Sequence, residues 1–380
     1  MGASVAHYLA RRGITNVVLL EREATLGAGS TGRNAGGVRH QFSTEANIRL
    51  SIESISLFER FRDEIGYEID FHQDGYLFLI SSERSLSEFE RSLALQRRLG
   101  VPVDLISPTD AAGLAPGLEI DGVIAATFCG RDGICDPNGV TMGFAQSARA
   151  AGVEILRETE VTAIKLDRGM ITAVETNRGP ISTRTVVNAA GPHSRTIGKM
   201  IGTGIPIVPY RRHIFITGPI ADRSPGTEPH RRVPKNHIMV IDFETSFYFH
   251  REGAGVLYGM SDPDQRPGYD LTVNWEFLER VTPVATRRLP ALAETSVAHA
   301  WAGLYEVTPD AMPIIGPVES VPGFYIIGGF SGHGFQHCPA AGRILADMIA
   351  TGSPPAGFDP APFAFARFDS VAGHPEYNVV

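Results

Sequence analysis

Lysine is almost missing from this chain: the 34 basic residues include only Lys165, Lys199 and Lys235, and the rest are arginines. Beyond position 235 no flexible point charge of the lysine type is available to any site. Cysteine is equally scarce, with Cys129, Cys135 and Cys338. The pair in "CGRDGIC" has no second pair or histidine cluster beside it in sequence, so no metal site and no disulfide framework are expected. Such usage suits a reducing, cytoplasmic setting. No apolar run approaches the length of a membrane-spanning helix, and no charged-then-apolar leader opens the chain, so neither a span nor a signal peptide is expected. A net charge of −8 without a dense basic block argues against nucleic acid as a partner.

What is present is an ordinary globular composition, 43% hydrophobic and 20% charged over 380 residues. That length supports one complex domain or two interleaved ones. The opening stretch "MGASVAHYLARRGITNVVLLERE" reads as the back of a dinucleotide-binding βαβ unit. Val5, Ala6, Leu9 and Ala10 form an apolar helical stripe, and Gly13 provides the left-handed turn that stops the helix. Gly2 then occupies the third glycine position of G-x-G-x-x-G, and Glu21 is the acid that closes the second strand and accepts bonds from ribose hydroxyls. The first strand and the G-x-G are missing, and they are expected to lie about 20 to 30 residues upstream of Met1.

Further along, helices are expected at 45–65, 85–99, 137–150 and 273–288, with "DGYLFLIS" a strand between the first two. Asp136 is the N-cap and Gly152 the stop of the third. "VEILRETEVTAIKL", "MITAVETNRG" and "ISTRTVVNAAG" read as a meander of strands. "HIFIT", "HIMVIDFETSFYFHRE" and "GVLYGMSD" read as longer strands of a separate antiparallel sheet. "GFYIIGGFSGHGFQHCPAAGRILADMIATG" is strand, glycine loop and helix, with Pro339 placed in the first helical turn and Gly352 at the end.

Three strand ends carry glycines: the opening unit, "VVNAAGPHS" and "YIIGGFSGHGF". Together with "GAGSTGRNAGGVRHQF" and "WAGLYEVTPDAMPIIGP" they resemble the FAD-dependent amino acid and amine oxidoreductases of the D-amino acid oxidase superfamily, over residues 2 to about 350. The likeness extends to the sarcosine oxidase β-subunit and the dye-linked proline dehydrogenase β-subunit. The resemblance implies a mixed α/β fold. A discontinuous FAD domain of glutathione-reductase type (1–70, 130–204, 301–352), with a parallel sheet and a β-meander, interleaves with an antiparallel-sheet substrate domain (71–129, 205–300), and 353–380 is a tail.

It also implies FAD contacts from Gly2, Glu21 and Arg22, from Ser30, Thr31, Arg33, Asn34, Ala35 and Gly36, from Val161, Ala190 and Gly191, and from Gly329, Ser331, Gly332, His333 and Gly334. The glycines let backbone approach a flat ring, and a helix N-terminus offers positive dipole to it. Relatives with covalent FAD place a histidine at the position of Arg33 or a cysteine at that of Gly303, so the resemblance implies non-covalent FAD here. Where glycine and D-amino acid oxidases carry an arginine, this chain has Tyr305. Where monomeric sarcosine oxidases carry an oxygen-activating lysine, it has Leu257, which favours a dehydrogenase.

An amino acid held over a flavin needs a cation for its carboxylate and an apolar or aromatic wall for its amine end. The candidates are Arg39 for the carboxylate, Tyr258 and Tyr305 for the wall, and His333 as a source of positive charge beside the ring. The expected activity is oxidation of the C–N bond of a small secondary or N-methylated amino acid such as sarcosine, proline or dimethylglycine, by hydride transfer to FAD. A partner subunit or another electron acceptor is possible in such a family. Two rivals stand beside it: an N-terminally truncated, non-catalytic chain that binds no FAD, and a D-amino acid or glycine oxidase.

Overall fold

A computed structural model describes residues 1–220, 232–369 and 375–378. Helix α1 (Gly2–Arg11) buries its Val5, Ala6, Leu9 and Ala10 stripe, and Gly13 closes it at φ +81°. The stripe packs on α6 (Pro137–Ala150) and α9 (Gly334–Thr351). The expected helix over 45–65 divides at Arg60 into α2 (Glu45–Glu59) and α3 (Phe61–Ile65). The remaining helices are α4 (Glu83–Arg98), α5 (Pro108–Leu114), α7 (Ser194–Lys199) and α8 (Trp275–Arg288). Asp136 caps α6 as expected, its carboxylate accepting from Asn138 and Gly139 N–H at 2.9 and 2.8 Å. Pro339 lies inside α9 rather than in its first turn, because the helix starts five residues earlier, at Gly334.

Two short parallel sheets build the nucleotide-binding half. In one, β1 (Val18–Leu20) pairs with β8 (Glu154–Leu156). In the other, β12 (Val186–Asn188) pairs parallel with β19 (Phe324–Gly328), which pairs antiparallel with β18 (Ile314–Pro317). Among the described residues no strand pairs with the second edge of β1 or β12. Gly2 lies between the two sheets, its Cβ position 3.6 Å from Ala189 and 3.9 Å from Leu19. The meander is present as β9 (Val161–Asp167), β10 (Met170–Thr176) and β11 (Gly179–Ser182), but "VEILRETEVTAIKL" is not one strand of it, since its start is β8, in the sheet of β1. "ISTRTVVNAAG" is not one strand: its first half ends the meander and its second half is β12, in a different sheet.

The roof is an eight-stranded sheet. Its order is β17 (Val297–Val307), β13 (Val208–Thr217), β16 (Gly255–Met260), β15 (Phe247–Glu252), β14 (Met239–Asp242), β4 (Tyr76–Ile80), β6 (Ala125–Cys129) and β5 (Asp104–Ile106). All its pairs are antiparallel except β14 with β4. The long apolar stretch 237–252 is a hairpin, β14 and β15, because Ser246 takes a left-handed turn at φ +57°. The domain boundary drawn at 301 falls inside β17, which runs along β13 and ties roof to cofactor half. A small sheet of β2 (Gly37–Val38), β7 (Gly133–Cys135) and β3 (Phe71–His72) makes a second tie.

Side-chain alternation gives the roof two faces. One, with Phe215, Phe249 and Tyr258, packs on α8 in an apolar cluster. The other carries Arg212, Ile214, Tyr248, Met239 and Tyr305 toward the cofactor half. Residues 375–378 are no loose tail: Glu376 accepts from Ser43 N–H at 2.7 Å, Thr44 Oγ1 at 2.7 Å and Asn47 Nδ2 at 3.0 Å, at the start of α2.

Candidate active site

A single cleft of about 1310 Å³ runs from the edges of β1 and β12, past the start of α1, to the inner face of the roof. It exceeds the roughly 300–1,000 Å³ typical of small-ligand pockets, as a dinucleotide site would. Of the residues expected around FAD, Gly2, Glu21, Arg22, Ser30, Thr31, Arg33, Asn34, Ala35, Val161, Ala190, Gly191, Ser331, Gly332, His333 and Gly334 line it. Gly36 and Gly329 stand behind the lining. A Cβ on Gly36 would meet the Cys135 carbonyl at 2.6 Å, and one on Gly329 would meet Thr308 at 2.4 Å. They permit close backing rather than contact.

The 30–36 loop is clamped to the roof. Ser30 Oγ donates to the Leu304 carbonyl at 2.7 Å, Arg33 donates to the Ala28 and Ala302 carbonyls at 3.1 Å each, and Trp301 Nε1 donates to the Arg33 carbonyl at 3.0 Å. Asn34 bonds the Thr31 carbonyl and the Gly36 N–H. Three side chains read as donors to a cofactor are therefore engaged in holding the loop. Gly303 faces Arg33 at 3.0 Å from its Cβ position, so a side chain there would push on that loop.

Opposite, the 329–334 loop hangs from Glu306, whose carbonyl accepts from Ser331 N–H at 3.1 Å. Gly332, at φ +100°, receives the Tyr305 ring where a Cβ would lie 2.3 Å from it. Tyr305 lines the cleft as expected.

Several buried polar atoms along the cleft have no protein partner: Arg212 Nε, Glu306 Oε2, Ser194 Oγ and both ring nitrogens of His333. Of their residues, Arg212, Glu306 and His333 line the cleft. Orphans of this kind are rare in a folded interior and mark where a ligand completes the bonding. With the α1 N-terminus and Glu21 at the end of β1, they fit a dinucleotide carrying hydroxyls, phosphates and a polar ring. Burial raises the Glu306 carboxyl to about 7, while the Gly329 and Phe330 amides offset part of that rise.

The polar candidates around the substrate end are redistributed. Arg39 is buried and lines the cleft, but its guanidinium stacks 3.8 Å from the Phe42 ring centroid and donates to the carbonyls of Gln41 and Asn378. Its neighbour His40 bonds Asp132 at 2.6 Å. Tyr258 faces the α8 cluster, not the cleft, and burial pushes its hydroxyl up to about 12. Tyr248, one strand over and on the opposite face, holds its hydroxyl where Gly259 leaves space.

His333 carries no positive charge at neutral pH: burial, with His337 and Arg39 nearby, holds its pKa well below 6.5. It is a neutral imidazole whose two buried nitrogens have no protein partner. Asp310 holds its loop by bonding Arg367 at 2.8 and 3.1 Å.

Arg212 is the residue that sequence reasoning missed. Its guanidinium lies 5.0 Å from the Tyr305 ring centroid and donates to the Arg211 carbonyl at 3.0 Å, with no carboxylate in ion-pair reach among the described residues. The signal was available in "YRRHIFIT". Adjacent strand residues face opposite ways, so one of two arginines must point inward. Arg211 takes the outside, bonding Gln265 at 3.2 Å and pairing with Asp270.

Fold and cleft together define an FAD-binding oxidoreductase architecture. The family profile described as FAD dependent oxidoreductase (DAO) matches residues 1–348, and the chain belongs to that family. It is 30% identical over 373 residues to the mitochondrial dimethylglycine dehydrogenase of Rattus norvegicus, covering 93% of this chain and 42% of that protein. It thus spans about two fifths of the length of that relative. It is 31% identical to FAD-dependent oxidoreductase domain-containing protein 1 of Bos taurus, covering 97% of this chain and 82% of the relative. The crystal structure of L-proline dehydrogenase from P. horikoshii superposes with a TM-score of 0.86 at 36% identity, covering 97% of this chain and 94% of that one. No helix among the described residues is long and apolar enough to cross a membrane.

Proposed function

We propose that this chain oxidises the C–N bond of a small secondary or N-methylated amino acid, of the proline, sarcosine or dimethylglycine kind, with non-covalently held FAD. The observation that carries the reading is Arg212, a buried cation without a carboxylate partner, on the roof face that closes the cleft. A buried guanidinium is costly unless an anion answers it, and a substrate carboxylate does so by two parallel bonds.

In this reading Arg212, rather than Arg39, anchors the carboxylate, and Tyr248 and Tyr305 wall the amine end. Neutral His333 places no positive charge beside the substrate nitrogen, which reacts as the neutral amine whose lone pair a C–N oxidation requires. Gly2 and the α1 N-terminus hold the pyrophosphate, Glu21 the ribose, and the 30–36 and 329–334 loops the ring system. Bound FAD supplies the two-electron acceptor; the chain binds, orients and excludes water. A dehydrogenase is favoured over an oxidase, because no lysine lines the cleft among the described residues.

The test is anaerobic flavin bleaching by proline, sarcosine and dimethylglycine, in the parent chain and in Arg212→Gln. Removing one member of a buried charge pair costs about 2–5 kcal/mol, so kcat/KM should fall roughly 30- to 4,000-fold with FAD uptake unchanged. Full activity in Arg212→Gln, with loss in Arg39→Gln, would return the anchor to Arg39.

A further inference from the structure

Away from the cleft, two segments that the sequence keeps far apart meet where the roof joins the small three-stranded sheet. His72 ends β3, and Asp74 follows two residues later in extended chain, the spacing that puts both side chains on one face. The parallel register of β14 and β4 sets Met239 beside Tyr76, so His237 arrives opposite Asp74. The ligating atoms of His72, Asp74 and His237 all lie within 4.8 Å of one another. We propose that these three residues bind one divalent transition-metal ion of the zinc class.

Asp74 Oδ2 accepts from the His237 backbone N–H at 2.8 Å, which holds the carboxylate beside the His237 ring. His237 Nδ1 stands 3.3 Å from Asp74 Oδ2, long for a hydrogen bond between such groups. Two ligands at about 2.0–2.1 Å on a tetrahedral ion stand about 3.3 Å apart. The His72 ring already has an orienting partner: Asp70 Oδ1 is 2.8 Å from its Nε2. That bond fixes the tautomer that turns the Nδ1 lone pair outward, the arrangement in which a carboxylate steadies a metal-bound imidazole.

The two rings stack 4.0 Å apart, and a metal is bound by the neutral imidazole. Closing on an ion asks the His72 ring to rotate out of the stack, and its 37% exposure leaves it room. Two imidazoles and one carboxylate suit a borderline ion and give too few oxygens for calcium or magnesium. Asp70 and Glu252 stand close around the same site, which adds negative charge to the neighbourhood. Tyr76 and Met239, two residues further along the same strands, line the cleft. A bound ion would therefore staple the two strands just before they reach the active site, and it would keep a fourth coordination position for water.

Cobalt(II) is the probe, added to the chelator-treated full chain, with zinc(II) as competitor. One cobalt per chain, displaced by zinc, is expected. His72→Ala and His237→Ala should each weaken uptake at least tenfold, and Asp70→Asn roughly 10-fold or more through its effect on the His72 ring. Circular dichroism of each variant separates lost binding from lost fold. Failure of the parent chain to retain cobalt at micromolar free ion overturns the site, and so does equal retention by a folded His72→Ala/His237→Ala double variant. Neither result touches the flavin reading, since the test involves no turnover.

Discussion

In the roof, Arg288 is 2% exposed, yet its guanidinium is bonded all round: to Asp242 at 2.7 Å, to the Asp121 and Glu119 carbonyls at 2.8 and 3.3 Å, and to Ser81 Oγ at 3.2 Å. Along the cleft, Arg212, Glu306 and His333 keep buried polar atoms with no protein partner. The strands differ in the same way. β4, β14 and β16 are buried along their whole length, whereas β1 is half-buried throughout. A parallel strand in an α/β sheet is normally covered on both faces. The contrast teaches that the roof closes its own bonding around Arg288, on the side away from the cleft, while the cleft, whose Arg212 and Glu306 come from the roof strands β13 and β17, leaves its bonding to be closed by what it binds.

The hardest way to break that contrast is to open the roof. Arg288→Ala leaves the buried Asp242 with only the exposed Arg287 at 3.7 Å; breaking a buried pair costs about 3–5 kcal/mol, and the remaining partner holds the loss to the lower end of that range. Urea denaturation should show that loss with and without FAD, since the pair does not face the cofactor cleft. A loss that FAD abolishes would mean that the roof, too, depends on the ligand.

How much of this was legible in advance depends on which forces fix each feature. The α1 stripe, the Asp136 cap and the Gly352 stop are local, and the 3.6 period with its punctuation exposed them. The glycine loops were legible as places of close approach, as Gly332 is under the Tyr305 ring. The split of 179–191 between two sheets was not, since pairing partners 140 residues away decide it. Nor was the facing of Tyr258. Its strand is apolar on both sides, so alternation gives no hint of which side meets the cleft. The meeting of His72, Asp74 and His237 was not legible from spacing either, because His237 joins His72 only through the β14–β4 register.

A middle-sized effect sharpens the comparison without mutation. FAD at 100 times its Kd stabilises the form that binds it by about 2.7 kcal/mol. Amide exchange at 18–20 and 186–188 should then slow by up to roughly 100-fold, while exchange at 76–80 and 239–242 changes little. Uniform slowing in both halves would show that they open together and that the contrast in bonding has no counterpart in local stability.

The smallest effect tests the two faces of the roof directly. Tyr258→Phe removes a hydroxyl from a ring packed against Phe215 and Phe247, on the side away from the cleft. The ring volume is kept, so stability should stay within about 0.5 kcal/mol and kcat/KM should be unchanged. Tyr248→Phe removes a hydroxyl from the cleft face, where one neutral hydrogen bond to a ligand is worth about 0.5–1.5 kcal/mol, a roughly 2- to 10-fold drop in kcat/KM. Steady-state kinetics on the pair, with a thermal midpoint for each, decides between the faces. The reverse pattern, with Tyr258→Phe slow and Tyr248→Phe unaffected, would put the substrate on the α8 side of the sheet. Arg212 would then lose its assigned partner, because it shares its face with Tyr248 and not with Tyr258.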